Sequence, residues 1–294
     1  MTRIGFVGLG HMGLPMAINL LKAGHNVTGF DLQSTAVDAF VQAGGTAAKQ
    51  LQGAAQTQDV IITMLQTGQQ VQQVCLGDEG LFKAAASGTL FIDCSSIDVQ
   101  SSRELHQQAI EHQFLYVDAP VSGGIAGAAA ATLTFMVGGE TNAFNQAKPT
   151  LANMGKKIIR TGEAGSGQAA KICNNMILGI SMIAVSEAFI LAQHLGLTPQ
   201  KLLEVVTNAS GQCWVMDKYV PVAGLLDNVP ANHDYQHGFS TAMMLKDLGL
   251  SQRSASAVGV KTPLAERATE LYQRFSDSGM AGLDFSAIIK MIEQ

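Results

Sequence analysis

Short apolar runs recur through the first half of the chain, each followed by a longer amphipathic stretch; the second half loses the short runs. Residues 4–9, 26–30, 60–64, 90–93 and 115–118 have the length and the branched or aromatic content of strands. Helical periodicity falls over residues 12–23, after Gly68 and over 98–112. Residues 132–137 and 156–160 read as two more strands, with helices at 125–130 and 143–152. Strands alternating with helices predict a parallel sheet whose ligands sit beyond its carboxyl edge. From residue 195 only helices are expected: 198–209 with Pro199 at its first position, 240–257, 263–276, and a last one capped by Asp284. The fold class expected is α/β: a Rossmann-type doubly wound domain over 1–163, then an all-α domain over 164–294.

A proline-free stretch over about 168–194 joins the two. Some 27 residues at ~1.5 Å each give a helix of about 40 Å. Gly162, Gly165 and Gly167 read as a flexible loop before it, and Gly196 as its stop signal. Ile172, Met176, Ile183, Phe189 and Leu191 are expected on one broad apolar face. The small Gly179, Ser181, Ala184, Ser186 and Ala188 suit close packing against other helices. Lys171 and Asn175, four apart, share a face with Leu178 and Met182. A cation and an amide on an apolar stripe are either a lysine snorkelling beside a solvated asparagine or a catalytic pair.

The first strand runs into Gly8-Leu9-Gly10-His11-Met12-Gly13, a helix follows, and Asp31 ends the next strand. In a dinucleotide site Gly8 makes the tight turn, Gly10 lets the pyrophosphate approach the backbone, and Gly13 lets helix meet strand. The helix N-terminus, with His11 and Met12, faces the phosphates. Asp31 is placed for the adenosine ribose hydroxyls, and neither Leu32 nor Gln33 could hold a 2′-phosphate, so NAD is expected over NADP. Met64, Leu65 and Ser96 fall at the same edge as candidate cofactor contacts; Ser96 reads equally as a serine capping the next helix. Ser122, Gly123 and Gly124 form a turn of bare N–H groups and a hydroxyl, either a carboxylate nest or a plain turn.

Charge and cysteine usage narrow the class. Charged residues are 14% of the 294 and the formal net charge is −5, which speaks against a nucleic-acid surface. Asn174, Asn175 and Glu187 interrupt the long helix, so no membrane span is expected. Cys75, Cys94, Cys173 and Cys213 lie far apart with no CxxC, which fits a reduced, cytoplasmic enzyme. His233 and His237 lack a third ligand at motif spacing, so no metal is expected.

Four ordered motifs then carry a likeness: GFVGLGHMG near the start, DAPVSGG at 118–124, GxxGxGxxxKxxNN at 162–175, and KDLGL at 246–250. Together they resemble the β-hydroxyacid dehydrogenases. The stretch from Gly211-Gln212-Cys213-Trp214 through Tyr219, Pro221 and Gly238-Phe239 to Lys246-Asp247 is most similar to the branch that oxidises 3-hydroxyisobutyrate in valine breakdown. The resemblance implies Lys171 as the catalytic lysine and Asn175 as its partner. It also implies Ser122, Gly123, Gly124 and Asp247 at a small hydroxyacid substrate, and Lys246 near the nicotinamide. Trp214 is either an apolar substrate wall or plain core. The chain departs from the family pattern at Gln66, Val99 and Gln212. A lysine acting as base must be neutral, which calls for burial or neighbouring cations such as Lys246. The rivals are a tartronate semialdehyde reductase, a 6-phosphogluconate dehydrogenase, and a non-catalytic cofactor-binding protein. The small-residue helix predicts a homodimer or homotetramer.

Overall fold

The computed structural model describes residues 1–236 and 238–293, and the chain folds as two compact units, 1–171 and 172–294. His237, named above beside His233, lies outside the described residues. Among the described residues no cluster of His, Cys, Asp or Glu could hold a metal.

In the first unit, strands and helices alternate: β1 (Arg3–Val7), α1 (Gly13–Lys22), β2 (Asn26–Phe30), α2 (Ser34–Gln42), β3 (Thr46–Ala47), β4 (Val60–Thr63), α3 (Gly68–Leu76), α4 (Leu81–Ala84), β5 (Leu90–Asp93), α5 (Val99–Glu111) and β6 (Leu115–Asp118). These strands pair in parallel in the order β3-β2-β1-β4-β5-β6, so the winding reverses between β1 and β4. That reversal is where a doubly wound sheet binds its ligand. Alternate residues along the strands feed different cores. Ile4, Phe6, Val60, Ile62, Leu90 and Ile92 join Met16, Ala17 and Leu20 of α1. Val7, Ile61 and Phe91 join Val71 and Cys75 of α3 and Leu105 of α5. A period of two thus makes three layers, and each fully buried Ile or Phe contributes about 1.5–3 kcal/mol.

The far edge departs from the all-parallel expectation. After β7 (Val121–Ser122) and α6 (Gly124–Ala129), strand β8 (Leu133–Gly138) runs antiparallel to β6 and β7. Residues 123–132, which carry α6 from β7 to β8, are fewer than the dozen or more of a crossover that would keep the strands parallel. After α7 (Thr141–Leu151), β9 (Gly155–Gly162) is parallel to β8 again. Helix α2, β3 and β7 were not anticipated from the sequence.

Helix α8 (Ser166–His194) carries the boundary between the units. Past it come α9 (Pro199–Val206), α10 (Trp214–Lys218), α11 (Thr241–Ala257) and α12 (Pro263–Phe275). On α8 the buried positions include Gln168, Ile172, Asn175, Gly179, Met182, Ile183, Val185, Ser186, Phe189 and Ala192; of the face expected, Ile172, Ile183 and Phe189 are buried and Met176 is half-buried. Leu191 falls off it and is 60% exposed. Of the small residues, Gly179 and Ser186 are buried while Ala184 and Ala188 face out. A Cβ on Gly179 would stand 3.0 Å from Leu248 Cδ2 and 3.1 Å from Met244 Sδ, so α11 packs closely there. By length and composition α8 could also cross a membrane, which the interrupting Asn174, Asn175 and Glu187 had argued against. Its apolar side chains Met182, Ile183, Val185 and Phe189 belong to the helical core with Tyr272 and Phe275. Asp284 caps the last turn as expected, accepting the Ser286 N–H at 2.9 Å.

Candidate active site

The sheet edge at the β1/β4 reversal begins with the glycine loop. β1 stops at Val7 because Gly8 turns with φ +96, a conformation L side chains rarely adopt. A Cβ on Gly8 would stand 2.3 Å from Met64 O, and one on Gly13 1.8 Å from Gly8 O. Both positions therefore exclude any side chain. A Cβ on Gly10 would meet no protein atom within 4 Å, so there the backbone is open to approach. His11 is exposed and Met12 half-buried at the start of α1, where the Leu14 N–H donates to Gly10 O at 3.0 Å. Asp31 Oδ2 accepts the Leu9 N–H at 2.6 Å and Oδ1 the Gln33 N–H at 2.8 Å. The carboxylate is thereby oriented at the end of β2 and retains lone pairs for ribose hydroxyls. These residues fit a dinucleotide.

Beside the loop the edge is built from buried side chains. Met64 and Leu65 follow β4 and are half-buried. The Leu65 N–H donates to Ser95 Oγ at 2.9 Å. Asp93 Oδ1 accepts from Thr63 Oγ1 at 2.8 Å and from the Ser95 N–H at 3.1 Å, while Oδ2 is buried without a hydrogen bond. Burial pushes the Asp93 carboxyl up to about 6, against the opposing hydrogen bonds from Ser95 and Thr63. Ser96 is half-buried and does not cap α5; Asp98 does, accepting the Ser101 N–H at 2.8 Å. Val99 occupies the first position of α5, where proline is favoured but not required. The Gln66 N–H donates to Gln70 Oε1 at 3.0 Å.

The glycine-rich segment before α8 is fixed rather than flexible. Asp118, fully buried at the end of β6, accepts the Gly165 N–H and the Gln168 N–H, each at 2.9 Å, and faces His106 Nε2 at 2.8 Å. A Cβ on Gly167 would stand 2.4 Å from Met136 O, so only glycine lets the helix start this close to the sheet. The Gln168 side chain bonds Ser95 O at 2.7 Å and the Ile97 N–H at 3.1 Å. Lys171 is half-buried three residues on. Ser122 is half-buried on β7, and the exposed Gly123 and Gly124 have φ +137 and +62 at the start of α6.

Within the second unit, Asn175 is 2% exposed and donates through Nδ2 to Asp247 Oδ2 at 2.5 Å. Asn174 Nδ2 donates to Asn175 Oδ1 at 3.0 Å. Lys246 Nζ lies 3.2 Å from Asp247 Oδ1. Asp247, expected at the substrate, is a buried carboxylate that accepts from Asn175. Trp214 is not core: it is 53% exposed and stacks on Tyr219 with ring centroids 5.2 Å apart. Asp93, Ser95, Asp118 and Gln168 were missed as a group. A polar residue at the carboxyl end of each successive strand was the available signal.

Residues 3–162 match the family described as the NAD binding domain of 6-phosphogluconate dehydrogenase. Residues 165–292 match the NAD-binding family of NADP-dependent 3-hydroxyisobutyrate dehydrogenase. A probable 3-hydroxyisobutyrate dehydrogenase of Mycobacterium tuberculosis is 48% identical over 98% of this chain and 97% of its own length. The chain belongs to the 3-hydroxyisobutyrate dehydrogenase family. It is an NAD-dependent dehydrogenase, which removes the non-catalytic rival. The family also holds an NAD-dependent L-serine dehydrogenase of Pseudomonas aeruginosa, 45% identical over 100% of this chain and 98% of that protein. A solved Mycobacterium tuberculosis 3-hydroxyisobutyrate dehydrogenase with L-serine superposes with a TM-score of 0.95, at 48% identity and full coverage of both chains.

Proposed function

We propose that the enzyme oxidises 3-hydroxyisobutyrate to methylmalonate semialdehyde, the valine-breakdown step, in the cytoplasm. The observation that carries this is the Lys171 and Asn175 pair on α8. Asn175 is buried and held by Asp247 at 2.5 Å, which a solvated surface asparagine would not be. Bound NAD would be held by Gly8, Gly10, His11, Met12, Gly13, Asp31, Met64, Leu65, Ser96 and Lys246, and supplies the hydride acceptor. The Ser122 hydroxyl and the N–H groups of Gly123 and Gly124 bind the substrate carboxylate. Lys171, in its amine form, would take the proton from the substrate hydroxyl oxygen as hydride passes to NAD from the carbon that bears it, so a primary alcohol becomes an aldehyde. Asn175 fixes the hydroxyl, and Asp247 with Lys246 fixes Asn175. A homodimer or homotetramer is part of the reading, and sedimentation at several concentrations tests it.

L-serine is the second reading, favoured by the relatives that carry its name. The two substrates differ at C2, where one has a methyl and the other an ammonium. Trp214 offers an apolar face to the methyl, worth ~1–3 kcal/mol in such a pocket. Measuring kcat/KM for 3-hydroxyisobutyrate, L-serine, 3-hydroxypropionate and glycerate at fixed NAD decides. 3-Hydroxyisobutyrate should lead, with 3-hydroxypropionate behind by a modest factor. A lead for L-serine moves the assignment to serine oxidation, and a lead for glycerate moves it to the tartronate semialdehyde branch.

A further inference from the structure

We propose that Gln168 is a positioning residue that couples cofactor binding to proton handling. It does so by holding the Ser95–Ile97 segment and the Lys171 turn of α8 as one rigid piece. This rests on the roles of Ser96 and Lys171 given above.

The Gln168 side chain is fully buried. Its Nε2 donates to the Ser95 carbonyl at 2.7 Å and its Oε1 accepts the Ile97 N–H at 3.1 Å. The two bonds straddle Ser96, so the carboxamide grips the backbone on either side of that candidate cofactor contact. Its own N–H is taken by Asp118 Oδ2 at 2.9 Å, so backbone and side chain are fixed together. The grip extends outward, because Ser95 Oγ also accepts the Leu65 N–H. A line of hydrogen bonds therefore runs from the loop after β4, through the loop after β5, into the helix that presents Lys171. A residue that only filled space here would be apolar. A buried amide is tolerated because each of its polar ends is met. Any shift of the Ser96 backbone on cofactor binding is transmitted to the turn carrying Lys171, and the reverse holds equally.

The test uses Gln168→Met, which keeps the bulk without the bonds, and Gln168→Glu, which keeps the shape. Both are made alone and with Lys171→Ala. NAD affinity is titrated directly, and turnover is measured with 3-hydroxyisobutyrate or L-serine, whichever the parent enzyme oxidises faster. Gln168→Met should weaken NAD about tenfold and lower kcat by about 10–100-fold, as expected for a small misplacement of reacting groups. In the Lys171→Ala background the loss in kcat should vanish while the loss in NAD affinity stays. In the Gln168→Glu variant a protonated carboxyl again offers one donor and one acceptor. Burial, with Asp118 facing from β6 and Asp93 beyond Ser95 on β5, favours that protonated form. Its kcat/KM relative to the parent should therefore recover between about pH 8 and about pH 6, and that of Gln168→Met should stay flat. A merely structural role would lower thermal stability without this recovery and without non-additivity. Parent-like kcat and NAD affinity in folded Gln168→Met, or no recovery in Gln168→Glu, overturns the inference. If Gln168→Met does not fold, the Gln168→Glu profile alone decides. Near-native turnover of Lys171→Ala overturns the underlying reading, and with it the coupling.

Discussion

The carboxyl edge of the sheet is made in two ways. Beyond β1 and β2 it is backbone: Gly8 and Gly13 bring main chain against main chain, Gly10 leaves the backbone open to approach, and one carboxylate, Asp31, ties the loop down. Beyond β4, β5 and β6 it is side chain: Thr63, Asp93, Ser95, Asp118 and Gln168 are buried and bonded to one another or to nearby backbone. The first construction excludes substitution by volume, because a Cβ collides with backbone. The second excludes it by desolvation, because a lost partner leaves a buried polar group unmet. In the function proposed above, NAD rests mainly on the first, with the second holding the Ser96 segment in place. Moving a proton at a fixed point needs the second, since a lysine on a free helix end would not hold its place.

The largest expected effect separates the two constructions. Lys171→Ala should lower turnover by about 10²–10⁴, the scale of a positioned acid–base group, while NAD binding, carried by the glycine loop, survives. Turnover of the purified variant beside a direct NAD titration checks this. Turnover near the parent level would make Lys171 structural and erase the distinction.

Next comes the buried carboxyl of the side-chain half. Asp93 has its pKa raised by burial from 3.8 to about 6. On acidification the folded chain therefore takes up this proton before the unfolded chain does. Between about pH 4 and about 6 the folded state binds more protons, so this group's contribution falls as pH rises and is fully unfavourable above the folded pKa. The shift corresponds to roughly 3 kcal/mol. Asp93→Asn keeps an acceptor for Thr63 and Ser95 without the charge. Its stability relative to the parent should improve as pH is raised from 5 to 8 in urea melts. A constant difference across that range would mean the carboxyl is already neutral, or solvated, in the folded chain.

The backbone half is tested by two glycines three residues apart. Gly13→Ala drives a Cβ to 1.8 Å from Gly8 O and should cost ~1–3 kcal/mol of stability as well as NAD binding. Gly10→Ala meets no protein atom and should leave the melting temperature near the parent's while weakening NAD. Equal NAD affinity in Gly10→Ala and the parent would remove Gly10 from the cofactor site.

This contrast also explains what the sequence could disclose. The glycine loop is local: strand, glycines, helix and Asp31 follow one another, and each residue type has one mechanical reason to be there. The side-chain half is long-range. Gln168 reaches Ser95 across 73 positions and Asn175 reaches Asp247 across 72. Read singly, a serine, an aspartate and a glutamine are ordinary surface residues, and only their burial together reveals a device. In the same way the KDLGL motif marks Asp247 without disclosing that Asn175 donates to its carboxylate. The antiparallel β8 escaped because periodicity reports which residues form a strand, not which way the strand runs. The face on α8 was legible at Ile172, Ile183 and Phe189 and failed at Leu191, where an apolar residue sits in the open.

The smallest effect probes the one side chain on which the backbone half depends. Asp31 is oriented by the Leu9 and Gln33 N–H groups at 2.6 and 2.8 Å, so it cannot swing away from an incoming phosphate without breaking both bonds. A 2′-phosphate placed there meets a fixed like charge, and a ribose hydroxyl meets an acceptor. Hydrogen bonds to a charged group are worth ~1.5–3 kcal/mol, so kcat/KM with NAD should exceed that with NADP by about tenfold or more. Asp31→Ser should narrow the ratio mainly by losing NAD, because no cation replaces the carboxylate. Adding Leu32→Arg should then raise NADP use; Leu32 is 88% exposed, so an arginine there disturbs no core. Initial rates over both cofactor series give the ratio for each variant. Equal efficiency with NAD and NADP in the parent would show that a carboxylate tied down by its own loop does not discriminate. The backbone half would then bind any dinucleotide that fits its glycines.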